Sequence, residues 1–451
     1  MKNTFKPLAL AAAVAGMSAG MAHAGSYPSL GDAAFVPYYT VEGDWVTGVH
    51  ITNTSNQTQI VKLRLRRAED SLDILDFNLI LSPYDVWTGT ISGDEEEMRF
   101  ITEDDSCTAP VLLDNGDGRT YAPVFGPRIP GAQEGYLEVI GMAATTDEGQ
   151  PIAEAALHDS DGIPDDCDEV RENFFVAAVV SNDETQISGS DGTSTYVDVD
   201  NVLKVSYFVR DDGTGIEFGN NAIHFEDFAA DPMMTHQQYG LENYSNASAI
   251  NAPNDALIGW DFPDVRGGGF NAPRASIDVV RAQLGAESVL NDWSYNPATG
   301  ASTDWVITFP GQYALVDYWQ LEGELAGDDD SVWDYREIPV LATFEVYDRE
   351  EQSAIPGGLN FSPSPAPDTT TLEYEVNVIE WGGQSVLDSN FVTPVNPEDA
   401  GIDAPYGWAN LVVVANGGPS DGLLAPGDNG WCDVAAARTL TVVSTVRILA
   451  P

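Results

Sequence analysis

Positive charge is what this chain lacks most. Across 451 residues, 19 lysines and arginines face 71 aspartates and glutamates, giving a formal charge of −52. After Lys6 the only lysines are Lys62 and Lys204. A surface of that sign repels nucleic-acid phosphates and anionic lipid head groups, which makes both poor partners. It stays soluble in salt, where screening over about 8–10 Å removes most of the self-repulsion. The acidity therefore fits salt adaptation, and it also fits carboxylates gathered to hold divalent cations. Histidine is scarce as well: beyond residue 24 there are only His50, His158, His224 and His236, and none has the i, i+4 spacing of a zinc-binding helix. No G-x-S-x-G elbow, phosphate loop or dinucleotide fingerprint occurs. Beyond the N-terminal leader no run approaches the roughly 20 apolar residues that a membrane helix needs.

The leader is Met1 to Ala24: Lys2 and Lys6, an apolar run from Leu8 to Ala15, and Ala22-His23-Ala24 as a small-residue cleavage site. Its removal leaves 451 − 24 = 427 residues with a charge of −52 − 2 = −54. The product is expected to be secreted, to the periplasm, the cell surface or the exterior.

The most legible stretch runs from Val46 to Ile91. Val46–Asn53 reads as a strand closed by a polar turn. In Ile60–Arg67, Val61, Leu63 and Leu65 alternate with Lys62, Arg64 and Arg66. Leu75, Phe77, Leu79 and Leu81 alternate with Asp76 and Asn78, and Ser82-Pro83-Tyr84-Asp85 turns the chain into Val86–Ile91. Period-two alternation at this density predicts sheets with one buried face, each needing a second layer. The fold class is all-β: two immunoglobulin-like antiparallel β-sandwich regions with long acidic loops and one short helical segment, Arg274–Asn291. Residues 25–215 form the N-terminal sandwich with an acidic loop insertion. Residues 216–303 form a loop-rich linker carrying the short helix, and residues 304–451 the C-terminal sandwich. Phe35–Val41, with its proline, suits an edge strand, open to pairing with another copy of the chain. Lys62, Arg64, Arg66 and Arg67 either form an anion-binding stripe or pair across the sheet with Asp76 and neighbouring acids, each pair worth tenths of a kcal/mol.

Three segments, Phe35-Val-Pro-Tyr-Tyr-Thr-Val-Glu-Gly, Ile74-Leu-Asp-Phe-Asn-Leu-Ile-Leu-Ser-Pro-Tyr-Asp-Val-Trp and Glu373-Tyr-Glu-Val-Asn-Val-Ile-Glu-Trp, resemble a group of uncharacterised secreted bacterial β-sandwich proteins with an immunoglobulin-like N-terminal region. The resemblance covers most of the chain in patches. It implies one co-evolved architecture and carries no function over.

Asp159-Ser-Asp161-Gly-Ile-Pro-Asp165-Asp-Cys-Asp168 fits D-x-D-G-x-x-D-x-x-D and is similar to one calcium loop of thrombospondin type 3 repeats. Closely spaced carboxylates supply hard oxygen ligands, and glycine lets the backbone turn. Asp159, Asp161, Asp165 and Asp168 are thus candidate calcium ligands, or else a solvated acidic loop, since such repeats normally come in tandem and this is a single copy. Asp114–Gly118 fails the EF-hand spacing and reads as an ordinary turn. Cys107 and Cys167 both sit in the loops inserted between sandwich strands and are expected to form a disulfide, leaving the remote Cys432 as a buried thiol or an intermolecular link.

Candidate catalytic acids are Asp348-Arg-Glu-Glu351 and the Glu373/Glu375 pair, more simply read as solvated strand ends and faces. Two functions follow. One is a non-enzymatic extracellular structural, matrix or adhesion protein. The other is a glycan-binding protein or glycan-active hydrolase, motivated by Trp87, Trp260, Trp293, Trp305, Trp319, Trp333, Trp381, Trp408 and Trp431. Those tryptophans favour glycans if exposed together on one face; otherwise they belong to the core.

Overall fold

The structure, a computed structural model, describes residues 28–71, 73–94, 97–123, 131–145, 151–171, 196–197, 199–228, 283–284, 288–310, 340–350, 353–354, 370–383, 385–398, 402–416 and 442–448. The leader, Cys432, Trp260, Trp319, Trp333, Trp431 and Glu351 lie outside those residues.

The fold is all-β, in four sheets. Sheet I runs Glu217–Asn221, Leu203–Asp211, Trp45–Asn53, Val86–Ser92, Arg99–Thr102, Thr120–Pro123, Leu113–Asp114. Sheet II runs Ile223–Phe225, Ala33–Thr40, Glu134–Thr145, Gln59–Arg67, Asp73–Leu81, Thr108–Ala109, with Tyr196–Val197 paired on Glu134–Thr145. Sheet III is Val392–Val395, Val376–Trp381, Ser302–Thr308, Val442–Ile448. Sheet IV is Ser288–Ser294, Tyr406–Asn416, Val340–Asp348, Ser353–Ala354, with Thr370–Leu372 paired on Val340–Asp348. Pairing is antiparallel except between Val376–Trp381 and Val392–Val395. Among the described residues helix is limited to Pro151–Ala156, residues 167–171 and residues 283–284, the last lying within the expected helix Arg274–Asn291.

Alternation builds the first sandwich as expected. Leu63 and Phe77 are register partners and face the interior. There Phe77 meets Trp87 and Phe100 of sheet I, with ring centroids 6.0 and 5.9 Å apart. Sheets III and IV close a second core around Trp293, Trp305, Trp381 and Phe344.

The other face of sheet II departs from expectation. Lys62, Arg64 and Arg66 are buried, not solvated. The reason is a further layer. Val306, Val376, Val378, Leu387 and Phe391 from the C-terminal region join the core of the first sandwich. Thr308 Oγ1 donates to the Pro37 carbonyl at 2.6 Å, and the Val376 N–H to the Ala68 carbonyl at 2.9 Å. Sheet II is therefore covered on both faces, and no anion in solution reaches this stripe. Arg64 lies opposite Glu138 on one side and Asp76 on the other. Arg66 Nε is 3.4 Å from Glu138, and its terminal nitrogen donates to the Ser71 carbonyl at 3.0 Å. Breaking a buried pair of this kind costs about 3–5 kcal/mol, far above the surface value.

Two further expectations are corrected. Phe35–Val41 is an edge only in part: Ala33–Thr40 pairs with Glu134–Thr145 on one side and, through Ala33–Phe35 alone, with Ile223–Phe225 on the other, and although Val36–Thr40 has no strand partner on that second side among the described residues, all eight residues are buried. Pro37 falls in the register irregularity between Val36 and Tyr39, where a missing N–H breaks no ladder bond. The helical reading of Arg274–Asn291 fails at its C-terminal end, where Ser288–Ser294 is a strand with Val289 inward and Leu290 outward. Cross-strand pairing overrode a weak helical spacing there, and residues 274–282 lie outside the described residues. Strands of the first two sheets continue to Phe225, and sheet IV begins at Ser288.

Candidate functional site

Cys107 and Cys167 are joined in a disulfide, with Cα atoms 5.2 Å apart across a sequence separation of 60. The bond fastens the acidic loop to the end of sheet II. Asp159, Asp161, Asp165 and Asp168 are all exposed. Asp159 Oδ1 accepts from the N–H groups of Asp161 and Ile163, at 2.7 and 3.3 Å. Asp168 Oδ1 accepts from Arg171 at 2.8 Å. Asp166 Oδ1 accepts from the N–H groups of Asp168 and Glu169, both at 3.0 Å, and so caps the turn at 167–171. Among the described residues no group of three or more histidine, cysteine, aspartate or glutamate side chains is placed to hold a metal ion. The four aspartates are thus near in sequence but not gathered in space.

The candidate catalytic acids do not converge either. Glu375 is buried, whereas Glu373 is exposed. Asp348 is buried and accepts from the Glu350 N–H at 2.8 Å. His224 is buried, with Nε2 accepting from the Val205 N–H at 2.8 Å, and burial pulls its pKa down to about 4. That describes a neutral structural histidine.

Most described tryptophans are core residues. Trp87, Trp293, Trp305 and Trp381 are at most 1% exposed. Trp293 stacks on Trp381 with centroids 5.6 Å apart, and Trp305 lies 4.8 Å from Trp381. Trp408 differs: it is 40% exposed and stacks on Tyr347 at 3.9 Å and 6°.

A cavity of about 350 Å³ opens at the end of the second sandwich, lined by Trp293, Tyr295, Asn296, Asn396, Glu398 and Asp403 among others. Two Asn-Pro turns build its rim, Asn296-Pro297 and Asn396-Pro397. Asn296 closes its turn through backbone bonds with Ala301, and Asn396 Oδ1 accepts from the Glu398 N–H at 3.2 Å. The Tyr295 N–H donates to the Pro405 carbonyl at 2.9 Å. The Tyr295 ring lies directly on Gly382, where φ is +79° and a Cβ would stand 2.1 Å from the ring. Only glycine lets the two approach so closely. Trp293 forms part of the wall, and its buried Nε1 has no hydrogen-bond partner among the described residues. An aromatic ring, amides and carboxylates around one concave space can seat a flat, hydroxyl-bearing ring by stacking and hydrogen bonding.

Sequence reasoning singled out Trp293 but missed Tyr295, Asn296, Asn396, Glu398 and Asp403. The paired Asn-Pro turns were the available signal; that they meet at one cavity follows only from strand pairing. Comparison with protein families, with curated proteins and with solved structures finds no match to this chain.

Proposed function

We propose that this chain is a secreted, non-enzymatic adhesion or matrix protein that contacts glycans through the cavity between the two Asn-Pro turns. The observation that carries the reading is the lining itself: Tyr295 on one side, with amides and carboxylates around it. The disulfide suits an oxidising compartment. Among the described residues no helix is long and apolar enough to cross a membrane.

A hydrolase is the second reading, since Glu398 and Asp403 both line the cavity. A glycosidase also needs one carboxyl held in an apolar environment, and both of these side chains are exposed. Binding is therefore favoured over cleavage. Calcium enters the proposal as an ion whose binding would have to draw the separated carboxylates of Asp159, Asp161, Asp165 and Asp168 together, stabilising the fold without joining the glycan site.

Calorimetric titration with neutral oligosaccharides tests the reading. Wild type is expected to bind at least one neutral series without releasing new reducing ends. Tyr295→Ala and Asn396→Ala are expected to weaken binding about tenfold or more, on the scale of about 1.4 kcal/mol per decade. Heat signals absent across the whole panel would reject glycan binding.

A further inference from the structure

We infer that the glycan is an extended, uncharged chain, with the stacked pair Trp408 and Tyr347 on the outer face of sheet IV as a second subsite continuous with the cavity. The inference rests on the glycan reading given above. Side chains alternate along Tyr406–Asn416, so that Ala409 and Leu411 enter the core while Tyr406, Trp408 and Asn410 share the outer face. Trp408 is the most exposed of the described tryptophans. Its stacking on Tyr347 across the strand pair fixes both rings before any ligand arrives, and such preorganisation lowers the entropy cost of binding.

The row adjoins the cavity through Tyr406. Asn296 lines it, and its Nδ2 donates to the Tyr406 hydroxyl at 3.2 Å. Tyr406 in turn lies two residues from Trp408 on the same face, roughly 7 Å along the strand, with the Arg349 guanidinium 5.6 Å from its ring. A single sugar seated in the cavity does not extend along that row; a chain of several does. Polar groups flank the pair: Asp292 is the register partner of Trp408, and Asn410 Nδ2 donates to Glu345 at 3.0 Å. These carboxylates, with Glu398, Asp403 and the net charge of −52, disfavour uronic-acid and sulfated polymers. They leave a neutral, hydroxyl-rich polysaccharide as the occupant.

The experiment compares one-, three- and six-unit members of the neutral glucose, mannose, xylose and N-acetylglucosamine series, with hexagalacturonate as the acidic control. It uses the full chain, Trp408→Ala, Trp408→Phe and Tyr347→Ala, each checked for an unchanged melting temperature. Affinity of the wild type should rise at least tenfold from one unit to six in the series that binds. Trp408→Ala and Tyr347→Ala should remove most of that gain while leaving one-unit affinity unchanged, and Trp408→Phe should keep most of it. Equal affinity for one and six units, equal losses for both lengths in Trp408→Ala, or tighter binding of hexagalacturonate would overturn the inference while the cavity reading stands. A sedimentation coefficient that falls in Trp408→Ala with glycan affinity untouched would make the pair an interface between copies and overturn it too. Absence of binding by every saccharide would instead remove the cavity reading and this inference together.

Discussion

Asp304 shows how one side chain ties stability to pH. It is fully buried, and its Oδ2 accepts from Ser385 Oγ at 3.0 Å and from the N–H groups of Val386 and Leu387 at 2.7 and 3.0 Å. Burial raises its pKa from 3.8 to about 6, against the opposing pull of those three hydrogen bonds. A carboxyl raised in the folded state contributes stability that is complete below its ordinary pKa and is lost as pH rises through the folded one. Glu134 has the same sign: burial raises its pKa although the Tyr38 hydroxyl, at 2.6 Å, and the Asn390 N–H, at 2.8 Å, both donate to it. The fold is therefore expected to gain from mild acidification at these two positions. Asp304→Asn keeps an oxygen for the three donors and removes the titration. Its melting temperature relative to wild type should climb between pH 4.5 and pH 7.5, by the equivalent of roughly 2 kcal/mol. Parallel curves for the two proteins across that range would show that Asp304 does not titrate as described.

At the scale of elements, the loop from Asp159 to Asp168 yields a prediction of its own. Its carboxylates are exposed and repel one another, and an ion that binds the native state alone stabilises by about 2.7 kcal/mol at a hundredfold excess over Kd. Calcium is expected to raise the melting temperature more than sodium at matched ionic strength, less in Asp161→Asn and least in Asp161→Ala. Identical responses to the two salts in all three proteins would leave a solvated acidic turn. Elements were the level at which the sequence was most readable. Val46–Ile91 announced its strands because alternation and turn residues agree there, and the disulfide was readable because two of the three cysteines fall in loops between the strands of one sandwich while the third is remote. What periodicity could not convey was which second face is covered. Lys62, Arg64 and Arg66 alternate with leucines just as a solvated face would, and their burial depends on residues some 240 to 330 positions later, Val306 to Phe391. The cavity was hidden for the same reason, since Tyr295, Asn396 and Asp403 share no local pattern and meet only through the pairing of Ser288–Ser294 with Tyr406–Asn416 and of Val376–Trp381 with Val392–Val395.

For the whole molecule, the shared core predicts that the two sandwiches unfold together. Phe391 packs over Gly131 and lies 4.9 Å from Tyr374, and Asn390 Nδ2 donates to Glu42 at 2.7 Å, so the junction is both apolar and hydrogen-bonded. Scanning calorimetry should give one transition with matching calorimetric and van't Hoff enthalpies. Phe391→Ala, which empties part of the junction, should lower stability by about 3 kcal/mol or split the peak; two peaks in wild type would refute the coupling. The order of synthesis gives the buried arginines a further meaning. A chain made from its N-terminus completes sheets I and II before residues 306–391 exist to cover the outer face of sheet II. Were that face lined with leucine and valine, the half-made protein would wait in water as an adhesive slab. Lined with Lys62, Arg64, Arg66 and Glu138, it waits wetted, and it sheds that water only when its own C-terminal half arrives.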